Sequence, residues 1–309
     1  MNTPSILSIF LLVSLLACGS YAHTIGNDPI PIRIPSTPFI EMQKNVSMRR
    51  SDFAIDALSS EYSSPLFSGT IRGVITASYV LNESVSGDLD SNLHPTYFRT
   101  FNTQTYAKDY FAKRSAVMAL AAATHMDSAC HVYQEPCTSI TDFNATQYTF
   151  LPLVVINVTN SVFGGVGNPD YGLSVADLKA WERVHGRIPR RAFVVMLSGW
   201  SNRIYNEALY FNRDANGNKH FPGFSNAAID WLLEHRPWIN GIGVDTSSVD
   251  IAVNFSFHVH YAINGVTKVS VENLNLSNRN IPVAGAHISV IPTLYGGAPE
   301  ATTNAVIYV

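Results

Sequence analysis

His125, Asp127 and His131 fall within seven residues of one another, in the stretch "AATHMDSACHVY". Two imidazoles and a carboxylate this close can hold a divalent cation and leave one group free to move protons. Extended backbone over 125–131 would put all three side chains on one face, because alternate residues of a strand share a face. The same residue types also make an ordinary polar loop at a sheet edge, so a cation would need partners elsewhere in the chain. The segment "NFSFHVHYAINGVTKVSVENL" offers them. As a strand it would present His258 and His260 together; as a helix it would turn them about 200° apart, leaving one to serve. Glu272 follows His260 by twelve residues, at the end of an apolar stretch. A His and a Glu from separate elements can converge on Asp127, and such a nitrogen–oxygen set suits zinc or manganese. The competing reading makes His260 a satisfied core histidine and Glu272 a solvated strand end.

The surrounding pattern indicates what would carry these residues. "FLPLVVINV" and "RAFVVMLSGW" are β-branched, apolar runs that suit buried strands. "SVADLKAWERVHG" reads as a helix with Ser174 as its cap, Asp177 in the first turn and Gly186 as its stop. "FSNAAIDWLLEH" reads as a second helix, capped by Ser225. "INGIGVDTSS" is a short strand ending at Asp245, and "GVITASYV", "KVSVENLNL" and "GAHISVIP" are further strand candidates. "AKRSAVMALAAATH" is ambiguous: its alanines favour helix, yet it runs straight into His125. Strands and helices alternate imperfectly, which predicts an α/β fold with a mixed sheet. No internal repeat or low-complexity tract is present.

The first residues read as an export signal. Ile6 to Ala17 is an apolar run too short to span a bilayer, and Ser20-Tyr21-Ala22 provides small residues before a cut, making His23 the expected mature start. This predicts a signal peptide over 1–22, an extended Pro- and Ser-rich arm over 23–69 ("NDPIPIRIPSTP") and one domain over 70–309 in a secreted or lumenal protein. No later stretch is long and apolar enough for a membrane helix, and the tail "TTNAVIYV" is too short for a lipid-anchor signal. Six Asn-x-Ser/Thr triplets (Asn45, Asn82, Asn144, Asn157, Asn254 and Asn275) fit that route; Asn157 ends a strand-like run and is expected to be buried and unmodified. Cys18 leaves with the signal. Cys130 and Cys137 are expected to pair, the alternative being a free Cys130 beside a cation. Twenty basic against 23 acidic residues, with basic pairs only at Arg49-Arg50 and Arg190-Arg191, argue against nucleic acid or an acidic membrane as partner.

In the order and spacing of these segments the chain resembles the cyclase family, which contains bacterial-type kynurenine formamidases and isatin hydrolases. That family's signature, His-x-Gly-Thr-His-x-Asp-x-Pro-x-His, aligns with residues 121–131, Ala121 through Thr124, His125 and Asp127 to His131. "YGLSVADLKAWE", "RIPRRAFVVMLSGW", "FPGFSNAAIDWLLE", "GIGVDTSSVD", "HYAINGVTKVSVENLNL" and "IPVAGAHISVIPTLYGGAP" follow in the family's order, so the likeness covers roughly residues 70–300. The resemblance implies a swivelling β/β/α domain assembled as a homodimer or larger, and a divalent metal, zinc or manganese. It implies hydrolysis of a small aromatic amide: an N-formyl arylamine such as formylkynurenine, or a cyclic amide such as isatin.

By the same resemblance His125, Asp127, His260 and Glu272 hold metal, and His131 moves protons beside the reacting water; Glu272 is a second proton carrier where it is not committed to metal. The chain departs from the family at three positions: Ala121 replaces the first ligand His, Ala123 the Gly and Ala129 the Pro. Three readings follow: a single ion on the four remaining ligands, a gap filled by His94 or His258, or a disabled scaffold serving as a secreted binding protein. Phe101, Tyr133, Phe163 and Trp200 are candidates to wall a pocket for an aromatic substrate, though each also suits ordinary core packing. A serine hydrolase using Ser198 or Ser201 is disfavoured, because "LSGWSN" lacks the Gly-x-Ser-x-Gly elbow.

Overall fold

Four parallel strands form the middle of the main sheet, and antiparallel strands on both sides bring that sheet round to meet itself. The structure, a computed structural model, describes residues 70–81, 97–106, 109–254 and 256–309. The proposed signal, the arm, His94, Asn45 and Asn82 lie outside the described residues. Gly69–Val309 is one compact unit. Its strands are β1 (Val74–Thr76), β2 (Tyr97–Tyr106), β3 (Asp109–Val117), β4 (His125–Asp127), β5 (Leu151–Asn157), β6 (Gly172–Leu173), β7 (Phe193–Leu197), β8 (Gly223–Phe224), β9 (Gly241–Val244), β10 (Val269–Glu272), β11 (His287–Pro292) and β12 (Glu300–Tyr308). Its helices are α1 (Thr159–Phe163), α2 (Val175–His185), α3 (Glu207–Phe211), α4 (Asn226–His235) and α5 (His258–Asn264).

The main sheet runs β1-β12-β11-β5-β7-β9-β10-β4, and a further β12–β4 pairing closes it into a barrel. Strands β5, β7, β9 and β10 are parallel neighbours; the other pairings are antiparallel. This is an α/β fold with a mixed sheet. Closure leaves few free edges, and alternation along each strand divides the core in two. Leu153, Val155, Phe193, Val195, Val269, Val271, Met126 and Ala301 share one apolar cluster on the face that closes on itself. Val154, Ile156, Val194 and Met196 point the other way, into a second cluster with Leu178 of α2, Ile229 and Leu232 of α4 and Val259 and Ile263 of α5. Close approach inside the first cluster requires glycine at 241: a Cβ there would stand 2.4 Å from the Val269 carbonyl oxygen and 2.8 Å from the Phe193 ring.

Local chemistry accounts for most elements. Ser174 and Asp177 form a reciprocal capping box on α2, which ends at Gly186 with φ +85°. Ser225 caps α4 by accepting from the Ala228 amide. The alanine-rich stretch is not helical: β3 pairs with β2 as far as Val117, so cross-strand pairing overrides the helix propensity of alanine, and the rest is turn. The expected strand near residue 74 is only three residues long. Residues 125–131 are extended only to Asp127; Ala129–His131 form a 3₁₀ turn. Cys130 and Cys137 are joined by a disulfide. Asn157 is exposed rather than buried, because β5 ends there and its side chain accepts from the Thr159 amide at the start of α1.

Candidate metal centre

The site is built by two short strands, β4 and β10, the start of the longer β12, the 3₁₀ turn Ala129–His131 and helix α5. In the β12–β4 and β10–β4 pairings, Glu300, Asp127 and Ser270 stand in one row across the sheet. Thr302, His125 and Glu272 form the next row. Between them Ala301, Met126 and Val271 turn inward to the closed apolar face. Period-two alternation thus places the polar groups on the outer, helix-bearing face. Helix α5 supplies His260. Because this segment is helical, His260 is buried at the site while His258 turns away to an exposed ion pair, with Nε2 2.8 Å from Asp230. His258 therefore does not fill the gap left by Ala121.

The donor atoms converge. His125 Nε2 lies 3.3 Å from Glu272 Oε2 and 3.6 Å from Asp127 Oδ1. His260 Nε2 lies 2.9 Å from Glu272 Oε1 and 3.8 Å from Asp127 Oδ2. All four side chains are at most 4% exposed. Ligand atoms of His125, Asp127 and Glu272 lie within 4.8 Å of one another, and so do those of a second trio, Asp127, His131 and Glu300. His131 is the open member: its side chain is 35% exposed, its Nδ1 stands 2.9 Å from Glu300 Oε2, and its ring centroid is 5.6 Å from that of His260.

Each imidazole is turned by a group on its Nδ1. Asp250 Oδ2 lies 2.6 Å from His260 Nδ1, and the same carboxylate accepts from the Val259 and His260 amides, so it caps α5 while orienting the ring. The Ala123 carbonyl oxygen lies 2.9 Å from His125 Nδ1 and also accepts from Asn273 Nδ2. That carbonyl is aimed by a left-handed turn, φ +54° at Ala123, the position at which the cyclase signature has Gly. A Cβ there costs roughly 1–2 kcal/mol.

Without a cation the charges are frustrated. Burial raises the Asp127 carboxyl above its usual range, and the nearby Glu272 charge adds to this. Burial works the same way on Glu272, but hydrogen bonds from His125 and His260 hold it well below the carboxylate range. The two carboxylates therefore split, Glu272 ionised and Asp127 pushed toward protonation. Burial opposes charge on His125, yet Asp127 and then Glu272 raise it to about 10. His260 is driven well above the usual imidazole range by Asp250 and Glu272, again against burial. Asp127 Oδ1 is buried and accepts no hydrogen bond. A buried, unpartnered carboxylate oxygen is costly. A divalent cation among His125, Asp127 and Glu272 would satisfy it, and this nitrogen–oxygen donor set fits one.

No sequence pattern marks Asp250 or Glu300 as a site residue. Asp250 lies within "GIGVDTSSVD" but not at a signature position, and the importance of Glu300 comes from its register opposite Asp127. Of the expected pocket aromatics, Tyr133 is half exposed and donates its hydroxyl to the Tyr261 carbonyl, with the two rings edge to face at 5.4 Å. Phe257 is exposed and edge-on to the His260 ring at 5.9 Å. Trp200 instead belongs to the core: it is fully buried, its indole N–H bonds to the Tyr210 carbonyl, and Phe163 stacks on it. The Phe101 side chain lies outside the described residues. Ser198 and Ser201 are buried, and both hydroxyls are tied to Asp245.

Comparison with known proteins gives a consistent picture. Residues 53–251 match the family model described as a putative cyclase; the match takes in His125, Asp127 and His131 and stops before His260, Glu272 and Glu300. The isatin hydrolase of Roseibium aggregatum is 31% identical over 129 residues, which are 41% of this chain and 48% of that protein. The chain thus spans about half the length of that curated relative. Isatin hydrolase A from Ralstonia solanacearum superposes with a TM-score of 0.64 at 25% identity, covering 77% of this chain and 92% of that one. An isatin hydrolase bound to the product analogue thioisatinate has the same fold, with a TM-score of 0.65 at 24% identity over 76% of this chain and 92% of its own.

Proposed function

The chain belongs to the cyclase family, and given that membership we propose that it is an exported, metal-dependent hydrolase of a small aromatic amide, of the isatin or N-formyl arylamine kind. The observation that carries this reading is the orphaned Asp127 Oδ1, fully buried among His125, Glu272 and His260. Those four residues would hold one divalent cation, zinc or manganese. When bound, the cation supplies Lewis-acid polarisation of the substrate carbonyl and acidifies a water.

The protein's own groups supply the rest. His131 takes the proton of the attacking water and returns it to the leaving nitrogen. Glu272 is the weaker candidate for that task, since Oε1 faces His260 and accepts from the Val249 amide while Oε2 faces His125. Asp250 and the Ala123 carbonyl keep the His260 and His125 rings turned inward. The exposed aromatics Tyr133, Tyr261 and Phe257 stand beside His260 and its helix, where they suit an aromatic ring. Family membership adds the expectation of a homodimer or larger assembly.

The test is to purify the untagged protein from secretion, measure zinc and manganese, and assay opening of isatin and deformylation of formylkynurenine. About one equivalent of metal and turnover of an aromatic amide are expected. Metal below about a tenth of an equivalent, with no gain on adding it, would leave a secreted binding protein on a disabled scaffold.

A further inference from the structure

We propose that Glu300 is a positioning residue for the hydrolysis put forward above: it holds Nδ1 of His131 so that Nε2 is the nitrogen offered to the reacting atoms. The inference rests on that reading of His131 as the proton carrier, and three observations carry it.

The first is register. Glu300 stands directly opposite Asp127 in the β12–β4 pairing. The Glu300 side chain is 19% exposed and has turned to His131, 2.9 Å away.

The second is repetition. His260 has Asp250 on its Nδ1 at 2.6 Å, and His125 has the Ala123 carbonyl at 2.9 Å. Glu300 completes the same arrangement for the third imidazole, the one not enclosed by the buried set.

The third is how the two residues are carried. The 3₁₀ turn of His131 is stitched to the segment leading into Glu300. Ser128 donates from both its amide and its hydroxyl to the Pro299 carbonyl, and the Ile140 amide donates to the Ala298 carbonyl. The Cys130–Cys137 disulfide and the bond from the Cys130 amide to the Thr138 carbonyl close the loop between. Imidazole and carboxylate are therefore carried on segments bonded directly to one another.

In the reaction the water proton passes to Nε2 of His131, Nδ1–H stays hydrogen-bonded to an ionised Glu300, and the imidazolium gives the Nε2 proton to the leaving nitrogen. Glu300 itself gains and loses nothing. A carboxylate in this place fixes the tautomer and stabilises the transient positive charge.

The experiment compares Glu300→Ala, Glu300→Gln and Glu300→Asp with the wild-type, metal-loaded protein. It measures kcat and KM on isatin and formylkynurenine, bound metal, and the His131 tautomer by ¹⁵N NMR, with the signal assigned by its loss in His131→Ala. For Glu300→Ala, kcat should fall about 10- to 100-fold with KM within about twofold and metal unchanged, as for loss of a histidine-orienting partner. Glu300→Asp should recover part of kcat. The Nε2-protonated tautomer should become prominent in Glu300→Ala. Unchanged kcat, an unchanged tautomer, or loss of a metal equivalent in step with kcat would overturn the assignment, the last outcome making Glu300 a cation ligand instead. Should the wild-type protein open neither substrate, the hydrolase reading falls, while the tautomer still decides for or against the Glu300–His131 unit.

Discussion

The two sides of Asp127 are built differently. On one side His125, Glu272 and His260 are sealed from solvent and held by strand register and a capped helix. On the other, His131 and Glu300 are partly open, and a disulfide-closed turn carries the histidine. A group that must hold an ion gains from rigidity and exclusion of water, because each donor then keeps its geometry and its charge is not screened. A group that must exchange protons needs a path to solvent. The chain places a single shared carboxylate between the two environments.

The largest expected effect comes from removing that shared group. Asp127→Asn should abolish metal binding and leave activity at background; an Asn variant that keeps a full equivalent of metal would show that the sealed side holds the ion without its central carboxylate. His131→Ala should keep its metal but turn over about a hundredfold more slowly, the usual loss for a general acid–base group. Unchanged turnover would remove the open side from the mechanism.

The sealed side should show a pH response, and His131 on the open side, raised by its hydrogen bond to Glu300 against burial, adds to it in the same direction. In the cation-free protein His125 has its pKa raised to about 10. A raised folded-state value means that its stabilising contribution is fully present below about pH 6.5 and is lost as pH climbs toward 10. Urea unfolding in the presence of a chelator should therefore show falling stability over that window. Added zinc or manganese should reverse the trend, because the ion takes neutral imidazole and binds better as pH rises.

Replacing both Cys130 and Cys137 with Ser should cost about 2 kcal/mol of stability for so short a loop. It should also lower kcat several-fold with metal retained, since the loosened turn carries His131; loss of metal would mean that the two sides are not independent. The smallest effect belongs to His258→Ala: both metal content and kcat should stay within about twofold, because that side chain faces Asp230 in solvent.

On the sealed side, His260 and Glu272 are legible through the family resemblance, because their segment alone reads equally as strand or helix. His125 and Asp127 are explicit through their alternation. The capped helices and the β-branched strands are similarly explicit. What is not legible depends on distant pairing. Glu300 joins the site through a strand 173 positions from Asp127 (300 − 127), and no local rule sets that register. The sequence signals only the strand that carries it, through the β-branched tail that forms the end of β12. Asp250 was hidden for another reason: its role is to cap a helix whose start, at Phe257, has φ +50° and no capping side chain of its own. The alanine-rich stretch misleads because propensity yields to a nine-residue partner strand.

The most direct test is an anomalous-diffraction map of crystals grown with zinc or manganese, recorded at the metal's absorption edge. One strong peak is expected between about 2.0 and 2.3 Å from oxygens of Asp127 and Glu272 and from imidazole nitrogens of His125 and His260. A loaded crystal whose peak lies away from Asp127, or that shows none at this position, would contradict the account.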